Sequence, residues 1–134
     1  MGLHEGMARR LLDEFPLDVA VLDDRGDVVW GNRAWREHGP GSAGVGENYL
    51  DVAASPVDDP YGRRVEAALS ELLGGERATF TLEYPCHGER ELGWYSMRAR
   101  AVEFDGRRYC LVVHEDVTDR AVSAFLTRGR RQEA

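Results

Sequence analysis

The chain has 134 residues, of which 43% are apolar and 31% charged, with a formal net charge of −7. That length fits one domain with modest appendages, and the apolar share is too high for a disordered chain. The acid excess argues against nucleic acid or an anionic membrane as a bulk partner, because no basic field is present to displace counterions, and no apolar run reaches the roughly 18 residues of a membrane span.

Residues 3–15 read as a helix: Leu3, Met7, Leu11 and Phe15 recur every fourth position, Ala8 and Leu12 widen the stripe, and Pro16 ends it. Two β-rich runs, 17–22 and 27–31, then flank Asp23-Asp24-Arg25-Gly26-Asp27, a hairpin signature with a glycine available for positive φ. Asn32 can cap a short helix running to about His38. The following Gly-, Ser-, Asp- and Pro-rich stretch reads as loop, broken by a turn of helix around Glu47–Val52. Asp59 as N-cap and Pro60 at the first helical position open a longer helix, whose face is Tyr61, Val65, Ala68, Leu69, Leu72 and Leu73 and whose stop is Gly74-Gly75.

The remainder is mostly strand. In residues 78–85, Phe80, Leu82 and Tyr84 alternate with Thr79, Thr81 and Glu83, and His87-Gly88-Glu89 reads as the turn after them. Residues 92–104 form a long strand, Asp105-Gly106 a hairpin turn, and residues 107–116 the last strand. A final helix follows, capped between Asp116 and Asp119, with Val122, Phe125 and Leu126 on one face and a polar tail behind it. The pattern is α+β: strands in one layer, with helices gathered on one side.

Sites with built-in chemistry are scarce. Residues 39–44 match G-x-G-x-x-G by letter, but they follow a helix and contain Pro40, whereas a dinucleotide loop needs a strand before it. His4, His38, His87 and His114 show no metal-ligand spacing with one another or with Cys86 and Cys110. Asp58-Asp59 and Glu115-Asp116 suit caps and turns better than a carboxylate pair, and no serine sits in a nucleophile elbow. An enzyme is therefore not expected. Two cysteines make no disulfide framework and point to a reducing compartment; the N-terminus lacks a signal-peptide core, so the expected location is cytoplasmic.

Four segments, in order, resemble those of a PAS domain from a prokaryotic sensor protein. They are LDVAVLDDRGDVVWGNRAW with Asn32 closing its second strand; Gly46-Glu47-Asn48-Tyr49-Leu50-Asp51-Val52; Gly93-Trp94-Tyr95-Ser96-Met97-Arg98; and His114-Glu115-Asp116-Val117-Thr118-Asp119-Arg120. Gly93 departs from the pattern, which usually has arginine there as a tie from the long strand to the end of the sheet. The resemblance covers about residues 17–119 and implies a five-stranded antiparallel sheet of order 2-1-5-4-3. It further implies flanking helices at 1–16 and 120–134, and a sensing or docking role without catalysis. In that order the strands bearing Cys86 and Cys110 are separated by a third, roughly 9–10 Å, beyond the ~7 Å Cα limit of a disulfide.

Subtype markers narrow the cofactor. A haem-binding domain of that family typically places a histidine on the long helix, and residues 60–73 have none; the covalent flavin and coumaroyl types need a cysteine before that helix, and residues 46–60 have none. Non-covalent flavin stays open through Asn32, Trp35 and Trp94. The resemblance implies a small, planar organic ligand lined by Asn32, Trp35, Tyr49, Leu50, Val65, Leu69, Leu72, Phe80, Leu82, Tyr84, Tyr95, Met97 and Val112. The aliphatic members suit ordinary core equally well. Buried Trp and Tyr must find hydrogen-bond partners, and several aimed at one cavity would orient such a ligand, so Trp35, Tyr49, Tyr84 and Tyr95 carry most of the expectation. Asp116 and Thr118 are expected to pin the start of the C-terminal helix as a signal relay. A homodimer through the N-terminal helix and the outer sheet face, and an effector domain in a parent signalling protein, are the partners implied. A ligand-free interaction module is the alternative.

Overall fold

The strands align because their turn chemistry and alternation agree. In the computed structural model, which describes residues 5–37, 43–54, 60–87, 92–120, 124, 126 and 127, nine elements follow one another. They are α1 (Glu5–Glu14), β1 (Asp18–Leu22), β2 (Val28–Gly31), α2 (Arg33–Glu37), α3 (Tyr49–Ala54), α4 (Pro60–Leu73), β3 (Thr79–His87), β4 (Leu92–Phe104) and β5 (Arg107–Asp116). Residues 118–120 are again helical. The strands form one antiparallel sheet in the order β2-β1-β5-β4-β3, as expected.

Hydrogen bonds at the β1–β2 turn show how a local sequence places a distant element. Asp23 Oδ1 accepts from the Arg25 and Asp27 amides, closing the turn, and Gly26 sits at φ 90°, where a side chain would be strained. A Cβ there would also lie 2.9 Å from Leu50 Cγ. The turn then grips the segment ahead of α3: Asn48 Nδ2 donates to the Arg25 carbonyl and to Asp27, and the Tyr49 amide donates to the Gly26 carbonyl. Asn48 Oδ1 accepts from the Asp51 amide, capping α3.

The helix α4 lies across the sheet's inner face through buried Val65, Ala68, Leu69 and Leu72. These meet Ala20, Leu22, Leu82, Met97, Ala99, Cys110 and Val112, which the strand period of two turns to the same side. Each fully buried Leu or Val contributes about 1.5–3 kcal/mol of transfer free energy. Arg108 on β5 donates to the carbonyls of Leu72 and Arg77, holding the C-terminal end of α4 to the sheet.

Two sequence expectations need adjustment. β3 continues through His87, where a turn was expected, with Cys86 opposite Gly93 and His87 opposite Leu92. Pro85 is tolerated within it because β3 is an edge strand, where a missing N–H breaks no ladder. The helix read at 3–15 is observed as Glu5–Glu14, with residues 3 and 4 outside the described residues. The Asp59 cap, most of the 39–44 loop and the faces of Val122 and Phe125 also lie outside them. Cys110 is a buried free thiol; the Cys86 side chain is not among those described, but β4 does separate the two strands.

Candidate functional site

Three helices and three strands converge on a group of aromatic side chains. α2 contributes Trp35, fully enclosed, whose Nε1 donates to the Ala43 carbonyl at 2.8 Å. α3 contributes Tyr49, whose hydroxyl lies 2.9 Å from His114 Nε2 on β5. Trp35 stacks on the His114 ring with centroids 5.1 Å apart and planes at 28°, and Tyr49 lies 6.0 Å from Trp35. Beside this trio runs a second row: Tyr61 of α4, Tyr84 of β3 and Tyr95 of β4, each centroid 6.3 Å from the next. Register explains the row, since Tyr84 and Tyr95 are direct cross-strand partners.

The two groups are electrostatically joined. Burial, with Tyr84 and then Cys110 adding to it, raises the Tyr49 hydroxyl pKa well above the ordinary tyrosine value, so Tyr49 keeps its proton. Burial likewise pushes the Cys110 thiol up to about 11.

The expected ligand residues divide by what they already hold. Asn32 is fully buried, and its amide is spent on the backbone: Oδ1 accepts from the Val19 and Trp35 amides, and Nδ2 donates to the carbonyls of Leu12 and Leu17. Two donors and two accepted bonds fill the ordinary capacity of the group, which makes Asn32 a clasp for α1, β1 and α2, with no bond left to orient a ligand. Leu50 packs on the β1–β2 turn. Val65, Leu69, Leu72, Leu82, Met97 and Val112 form the common core, and Phe80 sits at its margin under the Arg77 guanidinium, 5.5 Å from the ring centroid. Tyr49, Tyr84 and Tyr95 come together with Trp35.

Sequence reasoning overlooked two contributors. His114 entered as a letter of a terminal motif and as a histidine without metal-ligand spacing, although it shares strand parity with the core residue Val112. Asn48 was likewise read as motif, yet it carries the bonds that set α3, and so Tyr49, in place.

At the far end of β5, hydrogen bonds join Asp116, Thr118 and Trp94. Asp116 Oδ1 accepts from the Thr118 amide at 2.9 Å and from its hydroxyl at 2.6 Å, and Thr118 Oγ1 accepts from the Trp94 amide at 3.0 Å. The Val117 amide donates to the Trp94 carbonyl, and Arg120 pairs with Glu83 at 2.8 Å. The end of the sheet is thus tied to β4 and β3 without the arginine that Gly93 replaces.

The sheet order, its helical cover and this junction agree with a family-model match over residues 12–122, described as the PAS fold. The chain belongs to the PAS family. Its fold is similar to the PAS domain of Bordetella pertussis BvgS, at 14% identity and a TM-score of 0.64, covering 96% of this chain and 97% of that one. A PAS domain of an HTR-like protein from Haloarcula marismortui matches at 14% identity and TM-score 0.56, covering 83% of this chain and 95% of that one. The sensor region of a sensor histidine kinase matches at 20% and 0.57, covering 76% of this chain and 40% of that one. Among curated proteins, an uncharacterised 104.1 kDa protein in the hypE 3' region of Rhodobacter capsulatus is 34% identical over 123 residues. The match takes in 84% of this chain and 13% of that relative's length. Among the described residues no helix is long and apolar enough to cross a membrane.

Proposed function

We propose that this PAS domain binds a small, planar organic ligand against its aromatic cluster and relays occupancy through β5 to the C-terminal helix of a cytoplasmic signalling protein. The observation that carries the reading is the convergence of Trp35, Tyr49, Tyr61, Tyr84, Tyr95 and His114 on one side of the sheet. Flat apolar faces with a few polar tips select planar ligands. A ligand shifts the domain between two packings only by its difference in affinity for them, and the strand carrying His114 leads into the Asp116–Thr118 junction. Native mass spectrometry of gently purified protein tests this: a reproducible added mass, lost in Tyr84→Ala and Tyr95→Ala, is expected. Protein that stays at its chain mass and binds no member of a panel of planar aromatic compounds refutes it. An absorbance scan in the same sample distinguishes a non-covalent flavin from a colourless ligand.

A second reading, an interaction module that pairs with its own copy, is favoured by a separate observation. Met7, Leu11 and Phe15 of the α1 segment stand exposed, and Val21, Val102, Phe104, Tyr109 and Leu111 line a shallow apolar depression on the outer sheet face. Light scattering after size exclusion should report a dimer that Leu11→Asp converts to monomer; a wild-type monomer at all concentrations would remove this reading.

A further inference from the structure

Among the side chains described, His114 is the only histidine, and it sits where opposite demands meet. The half-buried ring is held by β5, packed by Trp35 of α2 and bonded by Tyr49 of α3. From β1, register sets buried Asp18 directly opposite it. Along β5, Asp116 lies two residues on and Cys110 four residues back, with Asp116 opposite Tyr95 of β4. From β3, Tyr84 bears on Tyr49. An imidazolium there would therefore have Tyr49 and the Trp35 indole against it and, by register, the carboxylates of Asp18 and Asp116 on neighbouring positions, with Tyr84, Tyr95 and Cys110 farther off on the same side of the sheet. Carboxylates and an aromatic face favour the cation, and partial burial opposes it.

Protonation changes the hydrogen bonding in kind. Neutral imidazole can accept at Nε2, and Tyr49, which keeps its proton, is the donor at hand; an imidazolium can only donate. The Tyr49 hydrogen must then turn away from Nε2. An imidazolium also attracts Asp116, whose carboxylate oxygen makes the two bonds to Thr118 that hold the junction.

We propose that His114 is a proton-operated switch within the core: imidazole and imidazolium hold Tyr49, Trp35 and the end of β5 in two arrangements, and the difference reaches the Asp116–Thr118–Trp94 junction. This device needs no small-molecule ligand, so it stands or falls separately from the sensing role above.

The test is a titration of the full chain from about pH 5 to about pH 8.5, the range in which an ordinary histidine changes charge. It is followed by NMR of the His114 ring and the Val117 and Thr118 amides, and by tryptophan emission. The His114 ring and both amides should shift with one shared midpoint, and emission should fall as the cation forms against Trp35. His114→Gln should abolish the amide shifts and the loss of emission. Trp35→Phe should abolish only the emission change. The inference is overturned if His114 keeps one protonation state across the range. It is equally overturned if the amides titrate with a separate midpoint, as they would if Asp116 alone were responsible, or if the shifts persist in His114→Gln. If His114→Gln fails to fold, the match or mismatch of midpoints in the wild type decides.

Discussion

Replacing Asn32 with alanine removes four hydrogen bonds at once, and the structure allows the cost to be worked out. The Val19 amide, buried in β1, loses its side-chain partner and gains none; a buried unsatisfied donor costs about 1–3 kcal/mol. The Trp35 amide loses its N-cap, worth about 1 kcal/mol. The carbonyls of Leu12 and Leu17 are partly open to water, so each forfeits about 0.5–1 kcal/mol. The total, about 3–6 kcal/mol, is a large part of the 5–15 kcal/mol by which a domain is usually stable. Urea unfolding followed by tryptophan emission and far-ultraviolet circular dichroism should show the midpoint fall at constant slope. Asn32→Asp separates the two halves of the clasp. It keeps the acceptor for Val19 and Trp35 but turns an oxygen toward the Leu12 and Leu17 carbonyls, now 2.9 and 2.8 Å from Nδ2. It should therefore loosen α1 selectively, seen as faster proteolysis around residues 15–17. An Asn32→Ala variant within about 1 kcal/mol of wild type would refute the clasp, since even its cap and one buried amide exceed that.

Gly31→Ala would place a Cβ 2.7 Å from Trp35 Cδ1. The overpacking should cost about 1–3 kcal/mol and alter Trp35 emission, and an unchanged thermal midpoint would contradict the packing described. Cys110 has its folded pKa raised, chiefly by burial, from the usual value of 9.0 to about 11, so unfolded chain ionises first as pH rises. Stability should be intact below about pH 9 and fall by about 2–3 kcal/mol as pH rises toward about 11. Cys110→Ala should flatten that slope without abolishing it, because Tyr49 is raised in the same direction; identical alkaline slopes would refute the thiol's part. Thr118→Ala removes the hydroxyl that bonds Asp116 and the Trp94 amide, a loss of about 1 kcal/mol confined to the junction. Hydrogen exchange should speed several-fold at Trp94 while Met97 and Val112 hold their rates, and unchanged exchange at Trp94 would show that Thr118 is not the tie.

Legibility in the sequence followed the range of the force involved. The β1–β2 hairpin, α4 and the β4–β5 hairpin rest on turn residues and apolar periods within a few positions of one another, and each formed where expected. Tyr84 and Tyr95 could each be placed on the side of their strand that carries Leu82 and Met97, because alternation is local, but that they stand directly opposite one another is a matter of register between strands. β3 was misjudged at its end because Pro85 is a stop signal only for a strand with neighbours on both sides, and edge position is not a local property.

Composition, alternation and capping residues, read without coordinates, determined the element order, the layer of strands and the placing of Asp116 and Thr118 at the exit from β5. Only the tertiary structure decided what the polar core groups do. Asn32 became a clasp, with its partners Leu12 and Leu17 brought in from the α1 end of the chain, and His114 became a member of the aromatic cluster, with Tyr49 arriving 65 positions away in sequence. A hydrogen bond depends on direction and a few tenths of an ångström, and those are set by how helices settle on a sheet.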